Sequence, residues 1–374
     1  MPQRTKPAFR AEHVGSLVRP ASLIEAREAK ARGEISAEAL LEIQRDAIRE
    51  IVRLQEEIGF QAVNDGEFNR GGWQSDFQLK FENVKRIPSK FTVHFHSAKG
   101  ESASQPPSLG ITGKLGRPAP IFVQDFKFLK SLTDRTVKIT IPSPTAFHFR
   151  GGREAVDRTA YPQMDDFFAD LARVYREEIA DLAAAGCRYL QIDDVNLAYL
   201  CDPNMREQVR ANIGEDPATL PKRYAKLLND TIAGRPKDMT ICLHLCRGNS
   251  AGNWVADGAY DPIADLLFNE IDVDGYCLEY DSPRAGGFEP LRYLPKGKMA
   301  ILGLVTTKHG GLENKDALKR RIDEASRHAD LDQLAMSPQC GFSPSIEGSA
   351  MSIEEEKAKL RLVVEVAREV WGTA

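Results

Sequence analysis

The chain has 374 residues, 42% hydrophobic and 28% charged, which sets an expectation of two domains or one large α/β barrel with insertions and excludes wholesale disorder, collagen or a coiled coil. Its 50 Lys and Arg against 54 Asp and Glu leave a formal charge of −4, so no basic excess exists to hold nucleic acid through its phosphates and a small-molecule partner is expected. No run of about 18 apolar residues occurs, and the first residues through Lys6 lack the apolar core of a signal peptide, which points to a cytoplasmic protein with no membrane partner.

Short β-branched runs alternate with longer amphipathic segments, the pattern of βα units around a parallel sheet. Strands are expected at 11–17, 60–66, 137–142, 188–194, 239–245, 274–280, 299–305 and 334–339. Between the first two, Leu40, Ile43, Ala47, Ile51, Leu54 and Ile58 recur at steps of three or four and predict a helix capped by Ser36 and ended by Gly59. The stretch 77–130 then carries a period-two signal at Phe91, Val93 and Phe95, followed by a Gly/Pro/Ser-rich run through Pro118. It reads as an insertion between strands two and three, a hairpin plus a loop over the mouth of a single catalytic barrel spanning 1–374. Phe167, Leu171, Val174, Tyr175, Ile179 and Leu182 repeat the helical stripe before the fourth strand and close at Gly186. The fold expected is a (β/α)8 TIM barrel with that insertion.

In such a barrel the chemistry sits at the carboxyl ends of the strands. The fifth strand ends in His244-Leu245-Cys246, and alternate residues point to one side, so His244 and Cys246 converge. Glu279 from the sixth strand and Cys340 from the eighth complete two thiolates, an imidazole and a carboxylate, a set suited to tetrahedral Zn2+. A core histidine beside a buried thiol is the plainer reading of His244 and Cys246, and Cys340 at a strand end weighs against it. Six cysteines are too few for a disulfide scaffold; Cys187, Cys242 and Cys277 lie in or beside apolar runs and are assigned to packing, while Cys201, in a loop, is left open. Such a ligand set exceeds the charge of the dication and leaves the site formally about −1, which keeps a bound sulfur electron-rich and points to alkyl transfer onto a thiol instead of hydrolysis. At other strand ends, Glu67 and Asp193 are suited to hold an ammonium group, and Ser16 with nearby backbone N–H groups a carboxylate.

These residues resemble the catalytic carboxyl-terminal barrel of cobalamin-independent methionine synthase and its single-domain relatives. The landmarks are Asp65-Gly66-Glu67-Phe68, Gln191-Ile192-Asp193, His244-Leu245-Cys246, Leu278-Glu279 and Ser337-Pro338-Gln339-Cys340-Gly341-Phe342, and the resemblance runs from His13 to Gly372. It implies zinc on His244, Cys246, Glu279 and Cys340 with homocysteine sulfur as the entering ligand, and amino-acid contacts from Ser16, Glu67 and Asp193. The methyl donor it implies is a methylfolate, a methylcorrinoid or another small carrier. The longer enzymes place a catalytic histidine after the seventh strand; His309, one residue out of register there, is the candidate proton donor. Their additional amino-terminal barrel, which helps bind a polyglutamylated folate, is not expected here, and Arg247-Gly248-Asn249 departs from their loop. The function expected is a zinc-dependent methyltransferase making methionine from homocysteine. The alternatives are a zinc-dependent thiol alkyltransferase that opens an epoxide and a non-catalytic zinc-binding protein; the related uroporphyrinogen decarboxylases do not use this metal set. A homo-oligomer is left open.

Overall fold

Two helices, α1 (Ala21–Ala31) and α2 (Ala37–Ile58), lead into the short strand β1 (Ala62–Val63). The Ser36 side chain accepts the Ala39 N–H at 3.1 Å to cap α2, and Gly59 ends it with φ of 108°, a left-handed conformation that glycine adopts without a Cβ clash. The computed structural model describes residues 3–97, 100–344 and 348–374; residues 98–99 of the expected insertion, and 1–2 and 345–347 of the expected barrel, lie outside the described residues.

After β1 come a turn of helix α3 (Ser75–Gln78) and four strands, β2 (Glu82–Ile87), β3 (Val93–Ser97), β4 (Gly100–Ser104) and β5 (Ser108–Gly116). They pair antiparallel as β2 with β5 and β3 with β4, outside the main sheet. The chain continues through α4 (Val123–Lys130), β6 (Thr136–Pro142), α5 (Met164–Ala184), β7 (Tyr189–Asp194), α6 (Asn196–Tyr199), α7 (Pro203–Gln208), α8 (Leu220–Ile232) and β8 (Thr240–Leu245). It ends with β9 (Gly275–Glu279), β10 (Met299–Val305), α9 (Lys315–Ala325), β11 (Leu334–Pro338) and α10 (Ile353–Trp371). The β8–β9 connection is not the long helix of a regular βα unit; it holds a tight 3-10 turn at Asp261–Ile263 and a short, wide π-helical stretch at Leu266–Glu270.

Seven strands form one parallel sheet in the order β1-β6-β7-β8-β9-β10-β11. Nearly every residue of β6 through β11 is buried, as expected of parallel strands covered on both faces. The expected strand at 11–17 is not a strand, and this corrects the sequence reading. Only Ala11 bridges to Met336 of β11, while the Leu17 N–H reaches Gly66 O at 3.1 Å, so the segment links the two edges of the sheet. Three of its carbonyls are met by side chains instead of a ladder. Gln191 Nε2 donates to Val14 O at 2.6 Å, Asn64 Nδ2 to Gly15 O at 2.9 Å, and Lys138 Nζ to His13 O.

Helix α10 begins with a capping box between Ser352 and Glu355, and its first turn buries Glu356. One carboxylate oxygen accepts the Val18 N–H at 2.9 Å and the other has no partner. Burial pushes this carboxyl up from 4.5 to about 8, with Val18 pulling it back. The folded state therefore holds a proton that the unfolded state gives up, and stability falls as pH rises from about 4.5 to about 8. Glu356→Gln removes that titration, so its melting temperature is expected to gain on wild type between about pH 5 and pH 8. A difference that stays flat across that range would rule the linkage out.

Candidate metal centre and substrate cavity

His244 is the penultimate residue of β8 and Cys246 follows the strand, where its N–H bonds Asp194 O at 3.0 Å. Cys340 stands two residues beyond β11. The ligand atoms of His244, Cys246 and Cys340 all lie within 4.8 Å of one another, and the two sulfurs are 3.2 Å apart. Gly341, the next residue, lets the chain after Cys340 pass close to Ser16, since a Cβ there would stand 2.2 Å from Ser16 Oγ.

Glu279, at the end of β9, is fully buried beside this cluster. Its Oε1 accepts the Arg247 backbone N–H at 3.0 Å and Gln339 Nε2 at 3.3 Å, and its Oε2 has no partner. Both ring nitrogens of His244 are buried, and among the described residues neither has a hydrogen bond of good geometry. Leaving such groups unsatisfied costs about 1–3 kcal/mol each, so they call for a partner that the described side chains do not supply. Two thiols and an imidazole are donors that zinc takes, and these three residues fit that ion, while Glu279 stands outside the group whose ligand atoms lie within 4.8 Å of one another. Burial works against a charged His244, but Cys246, Asp193 and Glu279 outweigh it and raise its pKa. The adjacent Cys340, and then burial, push the Cys246 thiol well up.

A cavity of about 250 Å³ opens onto these groups. It brings together six of the residues singled out from the sequence: Ser16, Glu67, Asp193, His244, Cys246 and Cys340. Glu67 sits in the turn after β1 with φ of 60°, a strained conformation for a side-chain-bearing residue, and is held by Thr140 Oγ1 at 2.9 Å and Arg70 at 3.6 Å. Its Oε2 is buried without a partner. Asp193 accepts Gln191 Nε2 at 2.6 Å; burial pushes its carboxyl up to about 7, against His244, which pulls it down, and with Glu67, which adds to the rise. His309 is not brought to this cavity. It is exposed and accepts the Gly311 N–H at 3.2 Å.

Sequence reasoning left several contributors without a role. Gln339 lies inside a quoted motif, yet only the structure shows it bridging Glu279 to the Thr307 N–H, which it accepts at 2.8 Å. Asn249 ties the loop after Cys246 to Gly341 O at 2.8 Å. Val93 and Phe95 of β3 line the cavity with Trp73, and the His96 and Trp254 main chains exchange hydrogen bonds of 2.8 and 3.0 Å. Alternation at Phe91, Val93 and Phe95 signalled the strand, but nothing local signalled its partner. Cys187, Cys242 and Cys277 are buried in packing as expected, and Cys201, left open before, is buried too, with its thiol facing Leu197 O at 3.7 Å.

A family model described as the catalytic domain of cobalamin-independent synthase matches residues 9–369. The uncharacterised Bacillus subtilis protein YxjH is 42% identical over 371 residues, covering 99% of this chain and 96% of its own. Pyrococcus abyssi methionine synthase is 24% identical over 333 residues, 88% of this chain and 85% of its own. A Listeria monocytogenes structural-genomics target, classed without confirmation as a vitamin-B12-independent methionine synthase, superposes with a TM-score of 0.78 at 34% identity, covering 99% of this chain and 100% of that one. A Shewanella B12-independent methionine synthase solved with selenomethionine shares the fold at 20% identity, with a TM-score of 0.72 over 96% of this chain and 97% of that one. With the match running through β1 to α10, the chain belongs to the family of cobalamin-independent synthase catalytic domains.

Proposed function

We propose that this chain is a zinc-dependent methyltransferase that moves a methyl group onto homocysteine to give methionine. The observation that carries the reading is one cavity lined both by the His244, Cys246 and Cys340 cluster and by the carboxylates Glu67 and Asp193. The family membership supports it, as does the methionine synthase activity named for the Pyrococcus relative. Zinc held by His244, Cys246, Cys340 and Glu279 would supply the positive charge that keeps a thiol deprotonated near neutral pH.

The remaining work falls to the chain itself. Glu67, with its free Oε2, and Asp193 take the substrate ammonium, and Ser16 takes the carboxylate, which fixes where the sulfur points. Trp73, Val93 and Phe95 wall the cavity and keep water from the sulfur. His309, the proton donor in this reading when the carrier is a folate amine, must be brought inward by movement of the 306–311 loop. No helix among the described residues is long and apolar enough to cross a membrane, and a cytoplasmic location is part of this proposal.

The test is incubation of zinc-loaded protein with homocysteine and separate methyl carriers (methylfolate, methylcobalamin and methylsulfonium compounds), with the thioether identified by mass spectrometry. Zinc and homocysteine binding with no thioether from any carrier would sink the methyltransferase reading. Ammonium recognition has its own check. Glu67→Gln and Asp193→Asn are expected to weaken homocysteine binding about tenfold or more, while 4-mercaptobutyrate, which lacks the amino group, loses little. Equal losses for both thiols would remove the two carboxylates from that role.

A further inference from the structure

Arg150 is the one Lys or Arg among the described residues lining the cavity. It is half-buried, and among the described residues it makes no hydrogen bond and no ion pair. Burial lowers its pKa. A guanidinium nevertheless stays charged in proteins, so this cation faces the cavity without a counter-ion.

Its position is built, not incidental. The preceding His148 holds Tyr224 Oη at 3.0 Å and Glu215 at 3.4 Å. Phe149 packs between Phe91 at 5.3 Å and Tyr199 at 6.0 Å, and its N–H bonds Thr145 O at 3.1 Å. The side chain that follows therefore projects from a fixed turn. Nor does it belong to the ammonium end. The two carboxylates at that end have other partners, Glu67 being held by Thr140 and Arg70 and Asp193 by Gln191.

We propose that Arg150 recognises the second substrate, and that the methyl carrier presents a carboxylate or another oxyanion to its guanidinium. The planar fork of arginine suits such a group, and a cavity of about 250 Å³ that also takes the thiol brings the anion close to the methyl group. In the transfer, the thiolate pair forms the S–CH3 bond, the bond from methyl to carrier breaks, and the carrier keeps that pair. Arg150 moves no proton; it orients the carrier. The proposal rests on the thiol-alkylation reading for the word carrier, but its anion site is testable by binding alone.

The probes are phenylacetate, phenylmethanesulfonate and the neutral isostere phenylacetamide, titrated calorimetrically into zinc-loaded protein with homocysteine present. The anions are expected to bind about tenfold more tightly than the amide. Arg150→Gln erases that preference and Arg150→Lys keeps part of it, both with homocysteine affinity unchanged and with wild-type melting temperatures. No anion preference in wild type, or a preference that survives in Arg150→Gln, overturns the proposal. So does an equal loss of homocysteine binding in Arg150→Gln, which would assign Arg150 to the acceptor's own carboxylate. An Arg150-dependent anion preference without methyl transfer from any carrier would instead uphold the anion site and reject the methyltransferase reading.

Discussion

Zinc content is expected to fall from about one per chain to a small fraction in Cys246→Ala and in Cys340→Ala, with thiol methylation lost alongside it, while Cys187→Ala keeps its metal. The two sulfurs are 3.2 Å apart beside a histidine whose ring nitrogens have, among the described residues, no hydrogen bond of good geometry. Removing either takes away one of the proposed ligands and a compensating charge. Cys187 is an apt control, because its buried thiol instead donates to Tyr189 O at 3.4 Å and burial pushes it up to about 12. Gln339→Ala should lie between these, with metal affinity down about 10–100-fold, since it orients Glu279 without being a ligand itself. Elemental analysis after dialysis against a weak chelator reads all four proteins. Stoichiometric zinc in both cysteine variants would eliminate the site.

The second large effect is on stability. Lys138 and Glu12 form a buried ion pair of 3.2 Å with side-chain exposures of 0% and 1%. Lys138 also donates to His13 O and lies over the Tyr189 ring at 5.5 Å, while Glu12 accepts the Phe9 N–H at 2.9 Å. Lys138→Met leaves Glu12 charged and buried without its cation, which costs roughly 3–5 kcal/mol. Pairing it with Glu12→Gln should restore a large share of the loss, because the stranded charge is then gone. Urea unfolding of the two single variants and the double variant gives the comparison. A Lys138→Met loss below about 1 kcal/mol would show that the pair contributes little.

Much of this could be read before any coordinates. Seven parallel strands lie where the β-branched runs indicated, since each is buried on both faces and its apolar character leaves little ambiguity. Ser36 and Gly59 bound α2 as capping chemistry requires. The segment 11–17 misled because its apolar residues do face the core, yet Lys138, Asn64 and Gln191, all distant in sequence, satisfy three of its carbonyls and leave it outside the ladder. Strand ends likewise exposed His244, Cys246 and Cys340, because periodicity says which side chains share a face. Arg150 was illegible for the opposite reason. What distinguishes it is the absence of a partner across the cavity, and no local pattern encodes an absence.

The junction between β3 and the loop after Cys246 is made by main-chain groups of His96 and Trp254. Substituting either side chain removes a ring contact, since the His96 and Trp254 rings lie 6.1 Å apart and Arg284 stands over Trp254 at 5.0 Å, but leaves both hydrogen bonds in place. Proline is the one replacement that deletes a donor there. The hydrogen-bonded part of the latch thus persists through any exchange of these two side chains other than to proline.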